Sequence, residues 1–153
     1  MNNLIILFTT GFYSGYFPIA SGTAGSFVGV VLYLLMNRFL PLPYYGTYYG
    51  IVTFVLFILG ILASSKAEII FGKKDSGKIV IDEIVGFMVT MFAIPSVWGY
   101  ILAGFFLFRL FDVMKPFPIR RFEKIEGGLG VMLDDFIAGL YVNLILHGWK
   151  YLA

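Results

Sequence analysis

The sequence predicts an all-α integral membrane protein: a compact bundle of about five short transmembrane helices plus a short N-terminal interfacial segment. Composition is the first reason. Of 153 residues, 59% are hydrophobic and 13% charged, and mean hydropathy is +0.90, whereas a soluble domain is roughly one-quarter charged. Segmentation is the second, because long uncharged runs alternate with short stretches holding nearly all the charge. The third is the placement of acids. Asp82-Glu83 and Asp134-Asp135 stand at the mouths of apolar segments, although a carboxylate at the bilayer centre costs about 2.5–3.5 kcal/mol on insertion scales.

Each element can be placed in turn. Leu4–Phe12 is too short to cross and is expected to lie in the interface. The start, MNNLIILFTTGF, has no basic n-region and no A-x-A-like cleavage site, so it reads as mature sequence. Ala24–Leu40 is apolar except for Asn37 and Arg38. Tyr44–Ser65 is uncharged for 22 residues, enough for the ~30 Å hydrocarbon core at ~1.5 Å per residue. Ile84–Phe108 is uncharged for 25 residues and reads either as one long span or as a hairpin hinged at Ile94-Pro95-Ser96. The last segment runs from about Val131 to Trp149.

Charge chooses the hairpin. With it, the segments 1–23, 66–83 and 109–135 share one side, which then holds nine of the eleven basic residues, leaving Arg38 and Lys150 opposite. The positive-inside rule makes the rich side cytoplasmic. Three polar segments meet there: Gly11–Ser26, Lys66–Glu83 and Arg109–Asp135. They are expected to form a single membrane-embedded domain over 1–153.

The acidic pairs point to metal chemistry. Asp82 and Glu83 open a helical run, where the dipole favours negative charge. Adjacent helical positions point about 100° apart, so one ion would not usually take both. Gly86 and Gly139 lie one turn beyond the two pairs, and such glycines let helices approach closely enough to put both pairs around a shared ion. Carboxylate oxygens suit magnesium or manganese. The alternative is helix capping with salt bridges to nearby lysines; two pairs on one face favour the metal.

The third polar segment adds cations. Arg109, Asp112 and Lys115 recur every three residues and so share a helix face, before Pro116 and Pro118 end the helix and Arg120 and Arg121 follow. A guanidinium fork beside a metal holds phosphate well. The alternative is a basic juxtamembrane segment that only attracts anionic lipid headgroups. Interleaving with Asp112, and the Gly127-Gly128-Leu129-Gly130 run that follows, favour a phosphate pocket. The hydroxyls of Ser21 and Thr23, at a helix start near Ala24, add a weaker signal, without the Lys-Ser/Thr of a P-loop. His147 reads as interfacial rather than catalytic.

Absent residues narrow the class. The chain has no cysteine, which removes disulfides, thiolate metal sites and Cys-x5-Arg phosphatases. One histidine is too few for a histidine-nucleophile lipid phosphatase. The D-x-D-x-T/V start of aspartyl-phosphate phosphatases and the D-x2-D-G-x2-A-R signature of CDP-alcohol phosphotransferases are missing. Nucleic acid is not an expected partner. What remains is water attack on a phosphomonoester, activated by metal and steadied by basic residues.

Three blocks, GFYSGYFPIASGTAGS, DSGKIVIDEIVGF and FRLFDVMKPFPIRRFEKIEGGLGVMLDDFIAG, resemble in content and order the motifs of the phosphatidylglycerophosphatase A family, and the likeness covers nearly the whole chain. The resemblance implies an all-helical, magnesium-dependent enzyme of the bacterial cytoplasmic (inner) membrane, multi-pass, with its active site facing the cytoplasm. It implies phosphatidylglycerophosphate as substrate and phosphatidylglycerol as product. It also implies Asp82, Glu83, Asp112, Asp134 and Asp135 as the acidic centre, with Asp82, Glu83, Asp134 and Asp135 as metal ligands. Arg109, Lys115 and Arg120 would be the phosphate contacts, with Thr23 a further one. Ser21 stands where many members have proline, and no chemical role is assigned to it. Two other classes stay open: a small divalent-cation transporter, and a non-catalytic protein that binds anionic lipid.

Overall fold

The computed structural model describes residues 2–122 and 124–152, and every regular element among them is helical. The chain runs through α1 (Asn2–Thr9), a 3-10 turn at Ser14–Tyr16, α2 (Ser21–Phe39), α3 (Tyr45–Phe71), α4 (Ile81–Thr90), α5 (Trp98–Met114), α6 (Ile119–Phe122) and α7 (Gly128–Leu152). The breaks follow the prolines: Pro41 and Pro43 separate α2 from α3, Pro95 lies between α4 and α5, and Pro116 follows α5. Each lacks the N–H that a continuing helix requires. Helix α3 instead stops at Gly72, whose φ of 62° is the left-handed C-cap that glycine supplies without penalty.

Helix α4 is the centre of the bundle. Nine of its ten residues are buried, and it packs most extensively on α7, then on α2, with further contacts to α3 and α5. Glycines make these approaches possible. A Cβ on Gly139 would strike the Gly86 carbonyl, and one on Gly86 would lie 2.6 Å from the Phe108 ring and 2.9 Å from the Asp135 carbonyl. On the other flank, a Cβ on Gly25 would be 2.6 Å from Val80, and one on Gly29 would be 3.1 Å from the Ile84 carbonyl. Side-chain attraction is weak between helices in lipid, so such close backbone contact is how they hold together.

A ten-residue helix that ends inside a bundle leaves its last carbonyls without intrahelical partners. Here side chains from three neighbours supply donors. The Tyr49 hydroxyl donates to Met88 O (2.7 Å), and Asn143 Nδ2 donates to Thr90 O (3.0 Å) and Phe92 O (2.8 Å). The Tyr33 hydroxyl donates to Ile94 O (3.0 Å). These bonds fix the turn between α4 and α5 by satisfying carbonyls that the helix end leaves free.

The predicted hairpin at Pro95 is present as the break between α4 and α5. Of the five short spans expected, length and hydropathy support two among the described residues. At about 15 Å, α4 reaches only half of a ~30 Å core. Two helices are long and apolar enough to cross, α3 with mean hydropathy 2.0 and α7 with 1.7; α2 has 19 residues and α5 has 17. Helix α2 starts at Ser21 rather than near Ala24, because the small-residue face from Gly22 to Gly29 is the one that docks on α4.

Gly139→Val is expected to lower stability by at least ~1–3 kcal/mol through overpacking, read as a fall in melting temperature in detergent. Gly148→Val, with nothing within 4 Å of an added Cβ, is the control expected to melt with the parent.

A buried carboxylate cluster as candidate active site

The first turn of α4 carries Asp82 and Glu83, and its N-terminal dipole favours both charges. The Gly86–Gly139 contact fixes α7 alongside, one turn from Asp135. Oxygens of Asp82, Glu83 and Asp135 consequently lie within 4.8 Å of one another. Asp82 Oδ1, Glu83 Oε2 and Asp135 Oδ2 are buried and have no hydrogen-bond partner among the described residues. Three carboxylates so close, each with one buried oxygen lacking a partner, are costly unless a cation joins them. A hard divalent ion such as magnesium fits this donor set.

Two cations flank the group. Arg109 of α5 ion-pairs through Nη1 with Asp112 Oδ2, one turn further along the same helix, and the same nitrogen is 3.9 Å from Glu83 Oε1. Lys115 Nζ donates to Asp134 Oδ2 at 2.7 Å, while Asp134 Oδ1 accepts the Asp135 backbone N–H at 3.0 Å. Asp112 and Glu83 are also charged neighbours of Asp135. Five carboxylates thus face two paired cations at one end of the bundle, an arrangement suited to a further positive ion and to a phosphate held by arginine.

The description phosphatidylglycerophosphatase A matches residues 7–150 of the chain at the level of a protein family. The chain belongs to the phosphatidylglycerophosphatase A family. A curated phosphatidylglycerophosphatase A of Haemophilus influenzae is 41% identical over 151 residues, 97% of this chain and 90% of that protein. One of Escherichia coli is 37% identical over 149 residues, 96% of this chain and 84% of the relative. A protein of Bacteroides thetaiotaomicron named putative phosphatidylinositol-3-phosphatase is 35% identical over 146 residues, 94% and 91% of the two chains. No solved structure matches the chain.

Within this phosphatidylglycerophosphatase A fold, the predicted acidic centre assembles, with two differences. Asp82 and Glu83 do converge despite their adjacent positions, since side chains of two lengths reach one point from neighbouring sites. Asp134 does not join the group with unpartnered oxygens; both of its oxygens are engaged, by Lys115 and by the Asp135 N–H. Lys115 is not on the helix face of Arg109 and Asp112. Helix α5 ends at Met114, and Lys115 turns back with φ 43°, a left-handed conformation costing a non-glycine residue ~1–2 kcal/mol.

Arg120 is exposed, and its guanidinium reaches Met114 O at 3.5 Å; no contact with the cluster is seen among the described residues. Thr23 is exposed and faces an apolar groove instead of the carboxylates. His147 lies three turns beyond Asp135 against the Asn143 carbonyl, away from the cluster as expected. Sequence reasoning missed Gly22. An added Cβ there would collide with Glu83 Oε1 and lie 2.9 Å from Arg109 Nη1, so this glycine makes room for the arginine. The small-residue spacing Gly22, Gly25, Gly29 was its available signal.

Lys115→Met leaves the 8%-exposed Asp134 side chain without its cation. The expected loss is about 2–3 kcal/mol, at the lower edge of the range for breaking a buried pair because Lys115 is partly solvated. Adding Asp134→Asn is expected to restore part of it. Unfolding titrations in detergent on the two single variants and the double variant measure the coupling directly.

Proposed function

We propose that this cluster is the catalytic centre of a magnesium-dependent phosphatase that hydrolyses the terminal phosphomonoester of phosphatidylglycerophosphate to phosphatidylglycerol and phosphate. Family membership makes the chain a phosphatidylglycerophosphatase, a lipid phosphatase of phosphatidylglycerol synthesis; the metal and the residue roles are our reading. The observation that carries it is the convergence of three carboxylates, each with one buried oxygen lacking a partner, near Arg109.

Asp82, Glu83 and Asp135 would hold the ion. When bound, magnesium supplies electrophilic stabilisation of the phosphoryl oxygens and acidification of a water. Arg109, aligned by Asp112 and Glu83, presents its guanidinium to the transferring phosphoryl group, where fixed charge favours the transition state over the ground state. Lys115, anchored on Asp134, adds a second positive charge. A cluster carboxylate takes the proton of the attacking water as the water oxygen bonds to phosphorus; the bond from phosphorus to the glycerol oxygen breaks, and that oxygen takes the proton back from the carboxylic acid so formed.

In the membrane, we read α2, α3, α5 and α7 as crossing helices and α4 as re-entrant, entering with the site and turning back at Pro95. Exposed Phe27, Val31 and Leu35 on α2, Phe54, Ile58 and Leu62 on α3, Leu102 and Phe106 on α5, and Leu144 on α7 form the lipid-facing surface. The basic residues gather at the end that holds the cluster, which supports a cytoplasmic active site in the bacterial inner membrane. Cation transport finds little support, because hydroxyls below the cluster are committed to backbone carbonyls: Thr53 to Tyr49 O, Thr90 to Gly86 O, Tyr49 to Met88 O.

Phosphate release by the purified protein in detergent tests this reading. Asp82→Asn and Asp135→Asn are each expected to lower kcat at least ~100-fold with melting temperature retained, and EDTA is expected to abolish activity that magnesium restores. Full activity in EDTA overturns the metal assignment. Phosphatidic acid and phosphatidylinositol 3-phosphate belong in the same assay, the latter because of the name of the Bacteroides relative; faster release from either than from phosphatidylglycerophosphate overturns the substrate.

A further inference from the structure

A groove between α2 and α5 neighbours the carboxylate site in helix register and takes no part in the chemistry of the cluster. It has a volume of about 400 Å³ and is open to the exterior, with Ser14 and Thr23 at its polar end and Ala24, Phe27 and Phe105 among its walls. Two features of register tie it to the site. Phe105 is one helical turn before Arg109, and Thr23 directly follows Gly22, the residue against which Arg109 and Glu83 rest. A molecule whose anionic end sits at Arg109 therefore has its apolar part directed along this groove. The larger groove between α2 and α3, lined by Phe8, Val31, Leu32, Leu56 and Ile84, has only glycine and apolar residues in its walls, so it offers no hydroxyl at a glycerol level. In the α2–α5 groove the Thr23 hydroxyl makes no hydrogen bond among the described residues, while Ser14 Oγ donates to Thr10 O at 3.2 Å.

We propose that the α2–α5 groove seats an acyl chain of the lipid substrate, with Thr23 beside the glycerol ester and Gly22 as the sill over which the phosphate reaches Arg109. The proposal rests on the reading of the site as a lipid phosphatase, and it makes Ala24, Phe27 and Phe105 determinants of chain recognition. The lining suits the neck and chain of an amphiphile, with the hydroxyls of Ser14 and Thr23 set among apolar walls.

Chain length is the test. In one detergent system, kcat/KM is measured for dioleoyl and dihexanoyl phosphatidylglycerophosphate. Ala24→Trp fills the groove and is expected to lower kcat/KM for the dioleoyl lipid about tenfold, with the dihexanoyl value within twofold of the parent. Phe27, 61% exposed, can be truncated with little effect on folding, and Phe27→Ala is expected to give about threefold in the same direction. Ala63→Trp, in the separate groove between α1 and α3, is expected to leave the ratio of the two substrates unchanged. Equal losses on both lipids, no loss on either, or a ratio shifted by Ala63→Trp overturns the assignment. If the parent protein releases phosphate from neither lipid in magnesium, the phosphatase reading itself fails, and the groove's role falls with it.

Discussion

The contact between Gly86 and Gly139 is the constraint on which the site depends. Both positions are a turn beyond an acidic pair, so bringing these two backbones together also brings Asp82 and Glu83 against Asp135. Any side chain at Gly139 meets the Gly86 carbonyl, and any at Gly86 meets Phe108 and the Asp135 carbonyl. Helices carrying like charges would otherwise separate. Van der Waals contact along α4, buried from Ile84 to Thr90, opposes that repulsion, and the cations Arg109 and Lys115 reduce it. The fold thereby holds carboxylates at a separation they would not choose in water, and the proposed divalent-ion site rests on that arrangement.

Helix α4 is made short and central for the same purpose. Its N-terminal dipole lies under the acidic pair, and its C-terminal carbonyls are taken by Tyr49 and Asn143. A longer helix would span the bundle and carry its first turn away from α7 and α5. The reversal at Pro95 returns the chain through α5 in the direction that places Arg109 opposite Glu83. Capping at one end and ion pairing at the other are thus parts of one arrangement.

Much of this was legible in the sequence. The hinge at Pro95, the meeting of the two acidic pairs on one face and the role of the two glycines follow from apolar run lengths, proline chemistry, charge balance and small-residue spacing, while the place of Asp112 in the acidic centre follows from the family resemblance. What escaped were features set by three-dimensional register. Run length cannot tell a spanning helix from a buried half-helix, so it reads α4 as a span. Lys115 was assigned to the helix face of Arg109 because spacing alone cannot reveal a left-handed residue at the helix end. Asp134 was grouped with its neighbour, yet adjacent positions face different partners, and Lys115 claims it. Gly22 drew no notice because its importance lies in what approaches it.

The most direct test of this account is a Mn2+ titration of the purified protein followed by electron paramagnetic resonance, comparing the parent with Asp82→Asn and Asp135→Asn. These two residues come from different helices and meet only if α4 and α7 are in contact as described. The account expects one site per chain, weakened at least about tenfold by either substitution. Metal binding unchanged in either variant would contradict it.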